Sequence, residues 1–494
     1  MVHRENTKTA QFGLAYWMQR VIDECAAVGE DFAPDPVHDL RVALRRCRSM
    51  ADGLMTVDSH LAWKQMKKAG KQLFSQLGAL RDAHVMAEWI QRLGSPEDPV
   101  TKALFDFTTA QERIARLEAT AALQSFDRKE WKRWSELLST RAKRVRSSSP
   151  VFQHLALERW TEARALHQKA VRNRTQISFH RLRIGLKKFR YIVENFLPPL
   201  HETWADDLKS LQDLLGEVHD LDVLWAVGLQ IKAFPDAAAH DDWRAKIAAE
   251  RKKRLEKYWK KMVGKTSLWP AWRAELPRGP QVERAAMERL RTWASFLDPD
   301  FGHARQVAKL AVQLYDGLPP DGMVRGLDHK RARSILQVAA LLHDVGRAKG
   351  NKKHHKASAR LIRKMDSPLG WRPQDMQMAA VVARYHRGAL PQATVKRLQE
   401  LPEGQRRTTI FLAGILRLAD AMDRPRTQAV ERLRVEGTGD FMTIWAEGRA
   451  LEGSQLEVIA GARYLLEAVY NRPFLVRSRP SGEDRRGSRR PLAS

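Results

Sequence analysis

Four residues in the second half of the chain have the types and order of a divalent-metal site. His303 lies in FGHARQVAKLAVQL, His343 and Asp344 in LLHDVGRAKG, and Asp420 in GILRLADAMDR. Each falls on a segment whose apolar spacing predicts a helix. Imidazole nitrogen with carboxylate oxygen, and no thiolate, suits a first-row divalent ion better than a structural zinc. His343 and Asp344 stand about 100° apart on a helix, so both can reach one ion. An ion held there would acidify a bound water and polarise a phosphoryl oxygen. A His-Asp pair alone carries little information; His, His-Asp and Asp on three successive segments carry far more. Arg387, Arg347 and Lys349 neighbour these segments and could neutralise phosphate charge, as could Arg424. Arg387 otherwise reads as a surface residue after a loop histidine.

A different chemistry is written twice in the first half. VHDLRVALRRCRS (37–49) and FHRLRIGLKKFRY (179–191) align without gaps. His38 pairs with His180, Arg41 with Arg183, Arg45 with Lys187, Arg46 with Lys188 and Arg48 with Arg190. A companion, LGALRDAHVM from Leu77, returns as LGEVHDLDVL from Leu215. The stripes are 142 positions apart (38 to 180) and the companions 138 (78 to 216), which marks an internal duplication. On a helix His38, Arg41, Arg45 and Arg48 fall within roughly an 80° arc, with Leu40, Ala43, Leu44 and Cys47 opposite. The row is about 15 Å long. Two such helices facing across a groove would concentrate cations whose repulsion an anion relieves. Arginine forks suit phosphate oxygens, and lysine adds point charge. One stripe alone would read as a solvated helix face; two in phase favour the groove. His38 and His180 fit either donation to phosphate or orientation of an arginine.

The elements that must position these groups are mainly α-helical. Residues 10–265 show long 3.6-residue periodicity, with proline and glycine confined to junctions such as 33–36 and 197–199. A pseudo-twofold pair of helical bundles is expected over 8–148 and 151–270, then a proline-containing linker over 271–282. A second, all-α domain is expected over 283–476, with a small β-containing segment at Leu433–Glu447 turning at Gly437–Gly439. A helix follows at Gly453–Val469, and the basic tail 477–494 is expected to be disordered. The chain has 494 residues and a net charge of +28, so a polyanionic partner is the first expectation. Two cysteines, Cys25 and Cys47, exclude a disulfide scaffold and point to a reducing compartment. No run of 18 apolar residues and no signal-like N-terminus occurs, so a soluble, cytoplasmic protein without a membrane partner is expected.

The paired HxxRxxxR/K helices and LGxxxD companions resemble the conserved-histidine α-helical (CHAD) domain over about residues 8–270. The resemblance implies a central basic channel that binds inorganic polyphosphate. Its residues would be His38, Arg41, Arg45, Arg48, His180, Arg183, Lys187 and Arg190, flanked by Arg46 and Lys188. Asp82 and Asp220 would orient arginines. The second half, roughly 283–476, resembles the HD superfamily of metal-dependent phosphohydrolases. More narrowly, it is similar to the C-terminal domain of the exopolyphosphatase/guanosine-pentaphosphate phosphohydrolase (Ppx/GppA) family. LLHDVGR, HHKASARLI from His354, VVARYHRGALP from Val381 and ILRLADAMDR from Ile415 carry that likeness.

This second resemblance implies a divalent metal such as Mn, Mg or Fe on His303, His343, Asp344 and Asp420. It implies catalytic roles for His343, Asp344 and Arg387. His355 and His386 would extend the ligand set to a dinuclear site bridged by Asp344, with His354 competing for the place of His355. A further histidine common in the family is Ala357 here. The family's phosphoryl chemistry belongs to an actin-like ATPase-fold module with glycine-rich phosphate loops, which this sequence lacks. Hydrolysis would therefore fall to the HD site or be absent.

Three functions compete. In the first, the helical half captures polyphosphate and the metal site cleaves phosphoanhydride bonds, in polyphosphate or in a guanosine polyphosphate nucleotide. The intact ligand set favours this enzyme. In the second, a non-catalytic protein is targeted to polyphosphate granules, and its other half senses a nucleotide or supports a homodimer. The third, specific nucleic-acid binding, lacks a reader module, and the 15 tryptophans lie outside the cationic stripes.

Overall fold

Capping residues set where the helices of the first half begin. His60, Asp98, Asp127, Thr175, Asp236 and Ser267 each accept a backbone N–H at a helix start. Proline opens helices at Pro99, Pro150 and Pro198, where its missing N–H would be unpaired anyway. The computed structural model describes residues 13–28, 32, 34–319, 328–392, 395–437, 440–449, 451 and 453–479. It divides into two units, Met1–Ala285 and Ala286–Ser494.

The first unit holds two five-helix runs in the same order. One is α1 (Leu14–Ala27), α2 (Pro34–Leu54), α3 (Leu61–Leu93), α4 (Pro99–Ser125) and α5 (Arg128–Ala142). The other is α6 (Pro150–Asn173), α7 (Gln176–Phe196), α8 (Pro198–Gln230), α9 (Ala237–Met262) and α10 (Leu268–Ala274). The stripe helices α2 and α7 pack together, as do the companion helices α3 and α8. Leu40, Ala43, Leu44 and Cys47 of α2 are buried, as are Leu182, Leu186, Phe189 and Val193 of α7. Both cysteines are free and buried, and burial raises the Cys25 thiol to about 12.

The expected linker is shorter than its prolines suggest. Residues 268–274 form α10, and Trp269 and Trp272 are buried against Trp160, Phe189 and Trp204. Pro270 sits in the first turn, where no intrahelical donor is lost, so indole burial prevails over the helix-breaking signal.

α11 (Pro280–Leu297) contains the division and ends in the second unit, followed there by α12 (Phe301–Gly317), α13 (His329–Leu342), a 3₁₀ turn (Val345–Lys349) and α14 (His354–Lys364). Next come α15 (Pro373–Arg384), α16 (Lys396–Gln399) and α17 (Glu403–Met422), then β1 (Val430–Gly437), β2 (Met442–Gly448), α18 (Gly453–Tyr470) and β3 (Phe474–Arg479). Apolar faces of α12, α13, α15, α17 and α18 share one core that reaches the sheet through Ile444 and Phe474. β1 and β2 are antiparallel; β3 returns parallel to β2 after the α18 crossover. β3 is a strand that the sequence pattern does not predict, because six residues with a charged end carry little alternation. The expected disordered tail, 477–494, begins inside β3, whose last residues are 477–479; the turn at 438–439 and the rest of the tail, from 480, lie outside the described residues. No described helix is long and apolar enough to cross a membrane.

Candidate functional site

Side chains from five helix ends of the second unit converge. His303 stands in the first turn of α12, His343 caps α13 with Asp344 next, and His354 opens α14. His386 lies two residues past α15, and Asp420 sits in the last turn of α17. His303 Nε2 is 3.3 Å and His343 Nε2 3.6 Å from Asp420 Oδ1. His354 Nε2, His343 Nε2 and His386 Nε2 lie 3.2, 3.7 and 3.8 Å from Asp344 Oδ1. Three compact groups result: His303–His343–Asp344, His343–His386–Asp420 and Asp344–His354–His386. Asp344 is shared between a His303/His343 side and a His354/His386 side. All six residues are buried.

These residues fit a divalent cation. His343 Nε2 and Asp344 Oδ1 are buried without a hydrogen-bond partner, a state that costs about 1–3 kcal/mol per atom. The opposite ring nitrogens are committed elsewhere. Nδ1 of His343, His354 and His386 donates to the carbonyls of Ala340, Asn351 and Ala383 at 2.6, 2.9 and 2.7 Å. Nδ1 of His303 donates to Asp423 at 2.8 Å. A carbonyl can only accept, so Nε2 is left as the inward atom of each ring, as in metal-ligating histidines. Burial disfavours the His303 imidazolium, but Asp420 and Asp423 outweigh it and raise its pKa to about 9. An incoming metal must displace that proton.

Four guanidinium groups surround the two carboxylates. Arg387 reaches both Asp420 oxygens at 3.1 and 3.3 Å, and Arg424 reaches one at 3.3 Å. Arg347 and Arg426 reach Asp344 Oδ2 at 3.3 and 2.7 Å. Arg426 also binds Asp300, the cap of α12, and holds φ +62°, a left-handed backbone costing on the order of 1–3 kcal/mol. Two salt bridges hold it there. Asp423 and Arg426 are site residues that the sequence pattern passes over; the cluster Asp420, Asp423, Arg424, Arg426 at one helix end is the signal that points to them. Lys349 is exposed at the end of its turn.

In the first unit Arg41, Arg45 and Arg48 of α2 and Arg183, Lys187 and Arg190 of α7 are half-buried. Lys187 feels both stripes. Burial first, then Arg183, Arg45, Arg48 and Arg41, push its ammonium down to about 8. Arg41 and Arg48 lie over the Phe74 ring at 4.7 and 5.0 Å. From the companion helices, Asp82 and Asp220 face the same arginines. Burial raises both carboxyls, Asp220 to about 6, while Arg41 and Arg183 draw Asp82 back and Arg183 draws Asp220 back.

Residues 17–227 match the CHAD domain, and residues 287–455 match Ppx/GppA phosphatase, domain III. Each unit thus resembles a known domain. Similar curated proteins are the guanosine-5′-triphosphate,3′-diphosphate pyrophosphatases of Vibrio vulnificus and Aeromonas hydrophila subsp. hydrophila, 29% identical over 178 and 163 residues. The matches cover 33% and 32% of this chain and 32% of each relative, so the chain spans about a third of their length. A crystal structure of the CHAD domain from the plant Ricinus communis is similar at a TM-score of 0.35 and 22% identity, over 53% of this chain and 88% of that one.

Within the CHAD-matching unit, Arg46 and Lys188 turn away from the shared cationic side. Each follows a stripe residue directly, which sets it about 100° around its helix. Arg46 is buried on Glu194 at 2.6 Å and Asn195 at 3.1 Å; Lys188 reaches Glu162 at 3.3 Å. Arg46 ties α2 to α7 instead of standing with the stripe cations. Arg46→Ala leaves Glu194 buried with Arg190 at 3.6 Å, and should cost about 3 kcal/mol in a urea titration without weakening polyanion retention. His38 and His180 are both exposed near the starts of their helices, and His180 packs 4.9 Å from His219.

Within the unit that matches Ppx/GppA domain III, His354 enters the cluster and His355 does not. His355 points about 100° around α14 and lies against Gly388. The approach of α14 depends on Gly346, where a methyl group would lie 2.3 Å from the His354 carbonyl oxygen and 2.4 Å from the Ser358 nitrogen. The HDVG glycine is therefore a packing contact, because α13 has already stopped at Leu342. Gly346→Ala should destabilise this unit by about 1–3 kcal/mol through overpacking and displace His354, visible as a lower melting temperature and weaker metal retention.

Proposed function

We propose that the CHAD-matching unit binds inorganic polyphosphate and that the second unit is an HD-type, metal-dependent phosphohydrolase. Its substrates are phosphoanhydrides, either polyphosphate itself or a guanosine polyphosphate nucleotide. The observation that carries this reading is the inward convergence of four Nε2 atoms on Asp344 and Asp420, with every outward ring nitrogen already bonded. The pairing of a CHAD match with a Ppx/GppA match supports polyphosphate-related chemistry.

His303, His343, Asp344 and Asp420 would hold a divalent ion such as Mn, Mg or Fe, and His354 and His386 offer a second position sharing Asp344. Such an ion supplies Lewis acidity and an acidified water. The chain's own groups do the rest. Arg387 and Arg424, anchored on Asp420, and Arg347, anchored on Asp344, present cationic edges to phosphate oxygens. Asp423 fixes the His303 ring through Nδ1. Burial lowers the local dielectric and strengthens the interaction of each of these charges with a bound phosphate. In the first unit, the six half-buried cations engage successive phosphates of one chain.

The arginines on Asp344 and Asp420 also favour a second reading, because they balance both carboxylates without a metal. A non-catalytic second unit on a polyphosphate-anchoring protein would then result. Phosphate release from defined polyphosphate and from guanosine pentaphosphate, with Mn²⁺ or Mg²⁺, after chelation and re-addition, separates the two. Metal-dependent release supports hydrolysis; a protein that retains no metal and releases no phosphate sinks it.

Polyphosphate retention should also fall as pH rises through about 8. Lys187 is charged below that value and neutral above it, so the groove loses a cation on the alkaline side. Bound anion favours the charged form, which moves the midpoint upward in the complex. Lys187→Arg, charged throughout, should flatten the profile in calorimetric titrations at pH 7 and pH 9.

A further inference from the structure

One face of the three-stranded sheet is turned to the core through Leu433, Ile444, Ala446 and Phe474, all buried. Side chains alternate along each strand, so their neighbours in sequence stand on the other face. There the register sets Arg434 opposite Trp445, and Trp445 opposite Arg477, as one row across three strands. The next row is Arg432, Glu447 and Arg479. Arg432, Arg434 and Arg477 are exposed. Trp131 and Trp269 of the first unit are closed in, but Trp445 is only half-buried and keeps part of its ring in solvent.

The groups on this face are held in place. Trp445 Nε1 donates to Glu436 at 2.9 Å, which fixes the indole in its plane. The Arg477 guanidinium stands 5.6 Å from the ring centre. Arg434 Nε is 2.7 Å from Glu447, yet the arginine side chain remains 49% exposed, so its fork stays open to a ligand. With Glu436, the two rows carry four arginines against two glutamates, a net charge of +2 (4 − 2). A ring flanked by guanidinium groups suits a strand in which flat bases alternate with phosphates. Bases stack on aromatic side chains whatever their sequence, and arginine forks donate to phosphate oxygens. In a duplex the base faces are hidden, so the match is to a single strand. A ring-free phosphate chain could use the arginines but not the indole.

The geometry points to this sheet face as a sequence-tolerant binding site for single-stranded nucleic acid. Bases stack on Trp445, and Arg434 and Arg477 hold the phosphates on either side. The site is independent of the phosphohydrolase and polyphosphate readings, since it uses β1, β2 and β3 alone. β3 brings Arg477 beside the indole, so the row exists only in the folded sheet.

Fluorescence anisotropy of the full chain tests it, with Arg41→Glu and Arg183→Glu in place so that the α2 and α7 cations do not mask the sheet. The probes are labelled oligothymidylate of about ten nucleotides, an abasic strand of the same length, and poly-glutamate of the same charge. Oligothymidylate should bind at least about fivefold more tightly than either of the others. Trp445→Leu keeps an apolar side chain on the strand and removes the ring; it should erase the preference for bases at an unchanged melting temperature. Trp445→Phe, which keeps a ring, should retain the preference. Arg434→Ala with Arg477→Ala should weaken oligothymidylate binding at least about tenfold. Equal affinity for the thymidylate and abasic strands, or binding of neither, overturns the inference. So does a preference that survives Trp445→Leu, and tighter binding of poly-glutamate would give the face to an acidic peptide instead.

Discussion

Replacing His343 and Asp344 together with alanine should strip the protein of divalent metal and lower phosphate release by about 10³-fold, or about 4 kcal/mol in the barrier. Asp344 belongs to two of the three ligand groups and His343 to two, so no group keeps all its donors. The same change deletes His343 Nε2 and Asp344 Oδ1, two buried atoms without hydrogen-bond partners. The folded state therefore loses an unfavourable feature, while Arg347 and Arg426 lose a salt-bridge partner. These effects oppose each other, and the melting temperature of the metal-free protein should change little. Polyphosphate retention, which the proposed function assigns to the other unit, should be untouched. Elemental analysis and phosphate release, measured on the same preparation, decide the matter. Hydrolysis that persists in a metal-free double variant would remove the second unit from the chemistry.

Reversing charge at Arg41 and Arg183 should have the largest effect on polyanion capture. The change sets two carboxylates beside Lys187, near Asp82 and Asp220, where burial already raises the carboxyl groups. Retention at physiological salt should fall by at least about 100-fold, and its salt dependence should flatten because fewer counterions are released. Small-substrate turnover and helical content should hold. Filter binding across a salt series, with circular dichroism as the control for folding, reads both outcomes. If this variant lost turnover and the His343/Asp344 variant lost retention, the assigned division of labour would be inverted.

Much of this is legible in the sequence because helical periodicity is local. Leu40, Ala43, Leu44 and Cys47 predict the buried side of α2, and the gapless echo predicts the same for α7; both sides are buried. The order His303, His343–Asp344, Asp420 likewise points to one site, since each residue falls at the end of a helix that an apolar face must dock. Periodicity alone does not determine which of two adjacent residues turns inward. His354 and His355 differ by one step, and the choice depends on where α14 starts, after Gly350 at φ +114° and Lys353 at φ +56° interrupt the phase. The same one-step ambiguity hid the role of Arg46, whose partner Glu194 lies 148 positions away.

What the chain's order of residues determined by itself was a mainly helical protein with a duplicated cationic helix and a histidine–aspartate set of metal-ligand type. Tertiary packing alone decided that His354 joins the site, that Asp423 and Arg426 hold it, and that Gly346 is the contact that lets α14 approach. Pattern along a helix reports which side is apolar, a property of neighbours in sequence. Convergence of side chains from five helix ends depends on how those helices dock, and no local repeat encodes that.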